Sequence, residues 1–178
     1  MPDRDTAGAA DEAGRQGDSG HDDDTGTDPI RTVLLPTDGS EGAEVAVAHA
    51  VSLAQTYGAT LHVLAVADTK SYGTFTTGGA GSVIPALEER CRENVAAAAD
   101  LIADLTSDEP DDPPVETAIL HGFPAEEILR YAADHDADLI VMGTHGRSGI
   151  DRVLLGSVTE RVVRRAPIPV VTVRQPEA

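Results

Sequence analysis

The chain has 178 residues, enough for one domain with a buried core. Its 13 Lys and Arg stand against 31 Asp and Glu, a formal net charge of -18, and a field of that sign repels nucleic acid and anionic membrane surfaces, so neither is an expected partner. Cys91 is the only cysteine, which leaves out a disulfide framework and a cysteine metal cluster.

Lys70 is the only lysine, and the other basic residues are arginine. Abundant acid with so little lysine is the surface expected of a halophilic protein, soluble in very high salt where repulsion is screened within a few ångströms. An ordinary acidic surface is the alternative. No apolar run approaches the ~20 residues of a membrane span. The first residues are acidic and glycine-rich, unlike a secretory leader, so the expected location is cytoplasmic.

Residues 1–29 contain no Val, Ile, Leu or aromatic residue and hold nine acids against Arg4 and Arg15. Such a segment buries too little apolar surface to offset its ordering entropy, so it is read as a disordered acidic tail. The domain proper is expected over residues 30–178.

Val33, Leu34 and Leu35 before Pro36 form a first buried strand. Ser40 then caps a helix with apolar positions Ala46, Ala50, Leu53 and Tyr57, ended by Gly58. Residues 60–66 read as a second strand and 68–82 as a loop rich in Gly, Ser and Thr. Pro85 sits in the first turn of a long helix whose Ile84, Leu87, Cys91, Val95, Ala98, Ile102 and Leu105 step by threes and fours. The periodicity makes Cys91 core rather than a reactive thiol, and Glu88, Glu89, Arg90, Arg92 and Glu93 a solvated face. A run of acids and prolines ends this helix before a third strand over 115–120.

Pro124 opens a helix carrying Ile128, Leu129 and Ala132. Leu139, Ile140, Val141 and Met142 are continuously apolar, as in a strand covered on both faces. A glycine-rich turn, a helix near 158–165 and a fifth strand over 168–173 complete the chain. This alternation specifies an α/β fold, an open parallel sheet with helices on both faces, whose ligands bind at the carboxyl ends of the strands.

The turn after the fourth strand carries the chemistry. Gly143, Gly146, Gly149 and Gly156 stand between a buried strand and a helix that opens on Gly156 and Ser157. Glycines let the backbone approach a ligand and turn N–H groups inward, forming an anion-binding concavity. Gly156 and Ser157 lie where unpaired N–H groups and the helix dipole favour phosphate. Ser157 and Thr159 add hydroxyls, and Arg147 a positive charge. The pattern is neither a lysine-based phosphate loop, since Lys70 follows Thr69, nor the dinucleotide G-x-G-x-x-G. His145 lies inside the turn with no carboxylate or nucleophile at a telling spacing, and reads as loop-shaping. His49, His62, His121 and His135 show no metal-ligand spacing. No catalytic residue and no protein metal site are assigned.

Gly143, two residues, Gly146, nine residues, then Gly156-Ser157 resembles the signature of ATP-binding, UspA-like universal stress proteins. Residues 35–40, 122–128 and 167–171 resemble that family's opening strand and turn, third strand–helix junction and closing strand. The resemblance implies a five-stranded, Rossmann-like, adenine nucleotide alpha hydrolase-like sheet of order 3-2-1-4-5. It also implies ATP as ligand, with Mg2+ or Mn2+ bridging its phosphates. By resemblance Pro36, Thr37 and Asp38 face the adenosine, Asp38 accepting from a ribose hydroxyl. Val66 contacts adenine, and Met142 and Gly143 flank the base and sugar. Gly146, Arg147, Gly149, Gly156, Ser157, Val158 and Thr159 hold the phosphates. Asp38 is equally placed as a helix N-terminal acid, and Val66 and Met142 equally suit ordinary core. The family also implies a homodimer through the fifth strand, whose apolar edge invites pairing. Three functions follow: a nucleotide-dependent regulator with a regulatory protein partner still to be identified, a slow ATPase or phosphotransferase, or a dimeric interaction module. Phosphoryl transfer needs a positioned nucleophile, and none is identified, so regulation stands first.

Overall fold

The computed structural model describes residues 29–69, 83–106, 112–144 and 155–175. Nine elements alternate along them: β1 (Thr32–Pro36), α1 (Glu41–Tyr57), β2 (Thr60–Ala67), α2 (Val83–Leu105), β3 (Val115–His121), α3 (Pro124–Asp134), β4 (Leu139–Gly143), α4 (Ser157–Arg165) and β5 (Val170–Val173). The strands form one parallel sheet in the order β3-β2-β1-β4-β5. That is the expected order. It puts β1 beside β4, where successive crossovers depart in opposite directions and a crevice opens at the carboxyl ends.

Side-chain alternation along the strands divides the core in two. Val33 and Leu35 of β1, Leu61, Val63 and Ala65 of β2, and Leu139 and Val141 of β4 face α1 and α2. Leu34, Leu64, Ile140 and Met142 face α3 and α4. With a helical layer on each face, the central strands have no solvent side, and all five residues of β4 are buried. Cys91 is buried on α2, as its position on the apolar stripe requires.

Helix α1 packs through a wider stripe than the one expected, with Ala46 and Ala50 buried as expected and Leu53 half-buried against the same core. Ala43, Ala46, Val47, Ala50, Val51 and Ala54 are buried, whereas Tyr57 is exposed. Small side chains bring this helix close to the sheet. Ser40 caps it, its hydroxyl accepting from the Ala43 N–H at 3.3 Å, and Gly58 closes it in the left-handed conformation at φ 63°. Ile84 and Leu105, at the two ends of α2, are also exposed. The apolar period carries on past the length of sheet available to cover it.

β5 begins at Val170, two residues later than expected. Pro167 and Pro169 have no N–H to give a ladder, and Pro169 contributes only its carbonyl, which accepts from Ile140 at 3.1 Å. At the amino end of the sheet, one Asp138 carboxylate oxygen accepts from the N–H groups of Arg31 and Thr32 at 2.7 and 3.0 Å, fixing β4 against β1. Nearly all of the expected tail, most of the loop after Asp68, and residues 145–154 lie outside the described residues.

Gly143 lies hard against the backbone of α1. A Cβ at Gly143 would stand 2.6 Å from both the carbonyl carbon and the oxygen of Gly42. Both are backbone atoms of a capped helix and cannot move aside cheaply. Gly143→Ala should therefore lower stability by about 1–3 kcal/mol, the usual cost of overpacking, read as a lower midpoint in guanidinium denaturation.

Candidate functional site at the carboxyl ends of β1 and β4

Two turns meet where β1 and β4 end. The first is Pro36, Thr37 and Asp38. Pro36 is buried and stands opposite Leu64 in the β1–β2 register. Thr37 is buried, donates its N–H to the Leu64 carbonyl at 2.8 Å, and accepts the Gly39 N–H on its hydroxyl oxygen at 3.3 Å. Asp38 accepts the Ser40 N–H on Oδ1 at 3.1 Å, so part of its carboxylate organises the entry to α1. Gly39 makes the bend at φ 70°, and a Cβ there would run into the Asn94 side chain of α2.

The second turn starts at β4. Met142 is buried on the α3–α4 face, the face that also takes Val66 of β2. Gly143 owes its missing side chain to α1, as shown above; its small size serves the packing of the fold before any ligand. Thr144 donates its N–H to the Val173 carbonyl at 2.9 Å, while its own carbonyl accepts the Gly156 N–H at 2.7 Å. Thr159 is buried, and its hydroxyl donates to the Gly143 carbonyl at 2.9 Å. These last two bonds tie the start and the finish of segment 145–154 together. The segment carries Gly146, Arg147 and Gly149 and lies outside the described residues.

Thr159, expected among the phosphate-holding residues, has a structural part as well. Its hydroxyl hydrogen goes inward to a backbone carbonyl, fastening α4 beneath the turn. Ser157 is exposed at the start of α4, and Gly156 and Val158 are half-buried beside it.

Two helix N-termini therefore flank the crevice, and they differ. That of α1 is capped by Ser40 and carries its own acids, Glu41 and Glu44, in the first turn. That of α4 opens on Gly156, which has no side chain with which to cap it, and carries one first-turn acid, Glu160, which is exposed and paired with Arg164. The first N–H groups of α4 point out of the helix without intrahelical acceptors, and Arg164 and Arg165 complete the dipole at the far end. The α4 start is the side suited to an anion. Asp38 and Glu41, on the α1 side, suit hydroxyl donors instead; Glu41 accepts from the Gln175 side chain at 2.8 Å.

The structure brings Pro36, Thr37, Asp38, Met142, Gly143, Gly156, Ser157, Val158 and Thr159 to one end of two neighbouring strands, with Val66 one strand away. Among the described residues no group of three or more His, Cys, Asp or Glu could hold a metal ion. Two polar contacts escaped the sequence. His121 at the end of β3 meets Glu88 of α2 at 2.9 Å, and His62 is buried against Tyr131 at 3.1 Å. The partners lie 33 and 69 residues apart, so no local spacing could announce them.

The sequence model described as the Universal stress protein family matches residues 29–174. Universal stress protein MJ0531 of Methanocaldococcus jannaschii is 34% identical over 152 residues, covering 85% of this chain and 86% of that protein. The solved structure of universal stress protein UspA from Lactobacillus plantarum superposes with a TM-score of 0.64 at 31% identity, covering 83% of this chain and 99% of that one. A universal stress protein solved in complex with cAMP superposes with a TM-score of 0.58 at 25% identity, covering 83% and 98%.

Thr159→Val keeps the shape of the side chain and removes the donor, leaving the Gly143 carbonyl buried and unsatisfied. It should cost about 1–3 kcal/mol in denaturant unfolding, whereas Thr159→Ser, which keeps the hydroxyl, should recover most of the loss.

Proposed function

The chain belongs to the universal stress protein family, and on that footing we propose that it is an ATP-binding regulator holding the nucleotide between the end of β1 and the turn from β4 to α4. The observation that carries the reading is the closed base of that turn. Thr144 with Gly156, and Gly143 with Thr159, fix both ends of a glycine-rich segment beside an uncapped helix start. A backbone cradle at a helix N-terminus is a general solution for phosphate. The relative solved with cAMP supports an adenine nucleotide as the class of ligand.

In this reading Gly146, Arg147, Gly149, Gly156, Ser157 and Val158 hold the phosphates, Arg147 supplying a positive charge on a chain of net charge -18. Thr159 braces them from beneath. Pro36, Thr37 and Asp38 line the adenosine side, where the Asp38 carboxylate accepts from a ribose hydroxyl. Val66 and Met142, on the same face of the sheet, offer apolar surface to the base, with Gly143 between base and sugar. Mg2+ or Mn2+ is held through the phosphates rather than by a protein cluster, neutralising their charge.

Regulation stands before hydrolysis because the turn offers a cradle and an arginine, and its sequence identifies no base or nucleophile to position for phosphoryl transfer. Bound nucleotide would then bias which conformation or protein partner the chain favours. β5 is an edge of the sheet with Val170 and Val171 half-buried, and we assign it to pairing with a second copy. Among the described residues no helix is long and apolar enough to cross a membrane. A cytoplasmic, salt-adapted setting fits the acidic, nearly lysine-free sequence.

The test is nucleotide affinity by calorimetry with the full chain, before and after Gly146→Val and Gly156→Val. Both variants should lose ATP binding while keeping the far-UV spectrum of the parent; unchanged affinity in both would remove the cradle from this turn. ATP left with the parent protein for hours should remain intact. Steady release of ADP and phosphate would move the assignment to the enzyme, and no bound nucleotide at all to the interaction module.

A further inference from the structure

The amino end of the sheet, opposite the cradle, carries a polar cluster that the nucleotide reading does not use. His62 is the third residue of β2, and its side chain is only 8% exposed. Its Nδ1 lies 3.1 Å from the Tyr131 hydroxyl of α3. Its Nε2 faces a Glu116 carboxylate oxygen of β3 at 3.8 Å, and that side chain is 63% exposed. Tyr131 is stacked on His135 with ring centroids 3.8 Å apart and planes 16° from parallel. The His135 ring stands edge-on to His62 at 5.7 Å. His135 also closes the helix: its N–H and its Nδ1 both reach the Tyr131 carbonyl, at 3.1 and 3.0 Å. The carbonyl can only accept, so Nδ1 of His135 carries its hydrogen.

We propose that His62 is an acid-responsive latch, which when neutral fastens the end of α3 to the sheet through Tyr131 and when protonated turns to Glu116 and releases that end. The latch takes one assignment of the ring hydrogens, in which the charge of Glu116 at 3.8 Å, an ion-pair rather than a hydrogen-bond distance, selects the tautomer. Glu116 is an acceptor, which places the neutral ring's hydrogen on Nε2 and leaves Nδ1 to accept from the Tyr131 O–H. In that tautomer a proton arriving from solvent attaches at Nδ1. There it confronts the tyrosine hydrogen, and the bond that joins β2 to α3 loses its acceptor. The new positive charge is buried, at the edge of a second imidazole, with one carboxylate within reach on the solvent side. Both forces drive the ring outward toward Glu116 and away from Tyr131.

The groups facing His62 are Tyr131 and His135 from α3 and Glu116 from β3; its register partner on β1 is Leu34, which carries no charge. Burial holds His62 below the usual histidine value of about 6.5, with Glu116 opposing the shift and His135 adding to it. Burial, and then the Glu116 carboxylate, push the Tyr131 hydroxyl up, so it stays a donor. A histidine whose folded value is lowered binds its proton more readily unfolded. Its contribution to stability is therefore whole above about pH 6.5 and declines as the pH falls from there to the folded value. In that interval the end of α3 opens more often.

Two measurements on the full chain decide it: the imidazole Cε1–H titration by NMR, and amide-exchange protection of α3 and of β1 between about pH 7.5 and pH 5.5, the window spanning an ordinary histidine. His62 should titrate below free histidine. Protection at residues 129–134, corrected for intrinsic exchange, should fall with acid by up to about tenfold per pH unit, the limit for one proton, while β1 changes less. Glu116→Gln, at an exposed side chain, should move the His62 midpoint further down. His62→Gln should abolish the acid-dependent part of the α3 opening. A His62 midpoint at or above that of free histidine, an unmoved midpoint in Glu116→Gln, or α3 protection that falls equally in His62→Gln would each overturn the latch.

Discussion

Most of the site depends on one close contact, the seating of the carboxyl end of β4 on the first turn of α1. Gly143 faces the backbone of Gly42 with no room for a side chain between them. Because β4 comes that near, Gly143 offers its carbonyl to the Thr159 hydroxyl and hands the chain to Thr144, which closes on Gly156. A methyl group at Gly143 would push β4 and α1 apart, and the base of the turn would open with them. Van der Waals exclusion thus sets the geometry, and hydrogen bonds then fix it.

The parallel sheet gives its two ends different work. At the carboxyl end the strands stop against helix N-termini, so N–H groups gather there and an anion is favoured. At the amino end, helices arrive by their C-termini and carbonyls gather. Asp138 and His135 meet that polarity in opposite ways. Asp138 takes up the N–H groups that begin β1, while His135 donates to the carbonyl that ends α3. Both β4 and α3 run from one end of the sheet to the other.

Legibility from the sequence followed how local each constraint is. The runs Val33 to Leu35 and Leu139 to Met142, the cap at Ser40 and the stop at Gly58 are signals within a few residues, and the structure has each of them. Strand order came from the resemblance rather than from periodicity, because the local pattern is the same for any order of parallel strands. Where the reading slipped, a neighbour distant in sequence decided. On α1, Tyr57 lies beyond the core that covers Ala46, Ala50 and Leu53. Ile168 is excluded from β5 by the prolines on either side and by a register fixed at Val170 opposite Ile140. Gly143 and Thr159 look alike as ligand or as fold residues until the partner 101 residues earlier, Gly42, and the carbonyl 16 residues earlier are in place.

An anion site on a chain of net charge -18 would be contradictory if the whole field acted at the site. It does not at high ionic strength, where the screening length shrinks to about 3 Å at 1 M salt. At that range a phosphate bound as proposed would meet the free N–H groups of the α4 start, while the acids of the distant surface would be screened from it. Glu160 in the first turn of α4 is exposed and paired with Arg164 at 2.6 Å, and on the α1 side Asp38 and Glu41 each already accept a hydrogen bond. A ribose, which brings donors, suits that side; a phosphate, which brings only acceptors, does not. In the proposed site, the asymmetry between a helix start capped by Ser40 and an uncapped one would orient a nucleotide in the crevice through neighbours within a few ångströms rather than through the charge of the molecule.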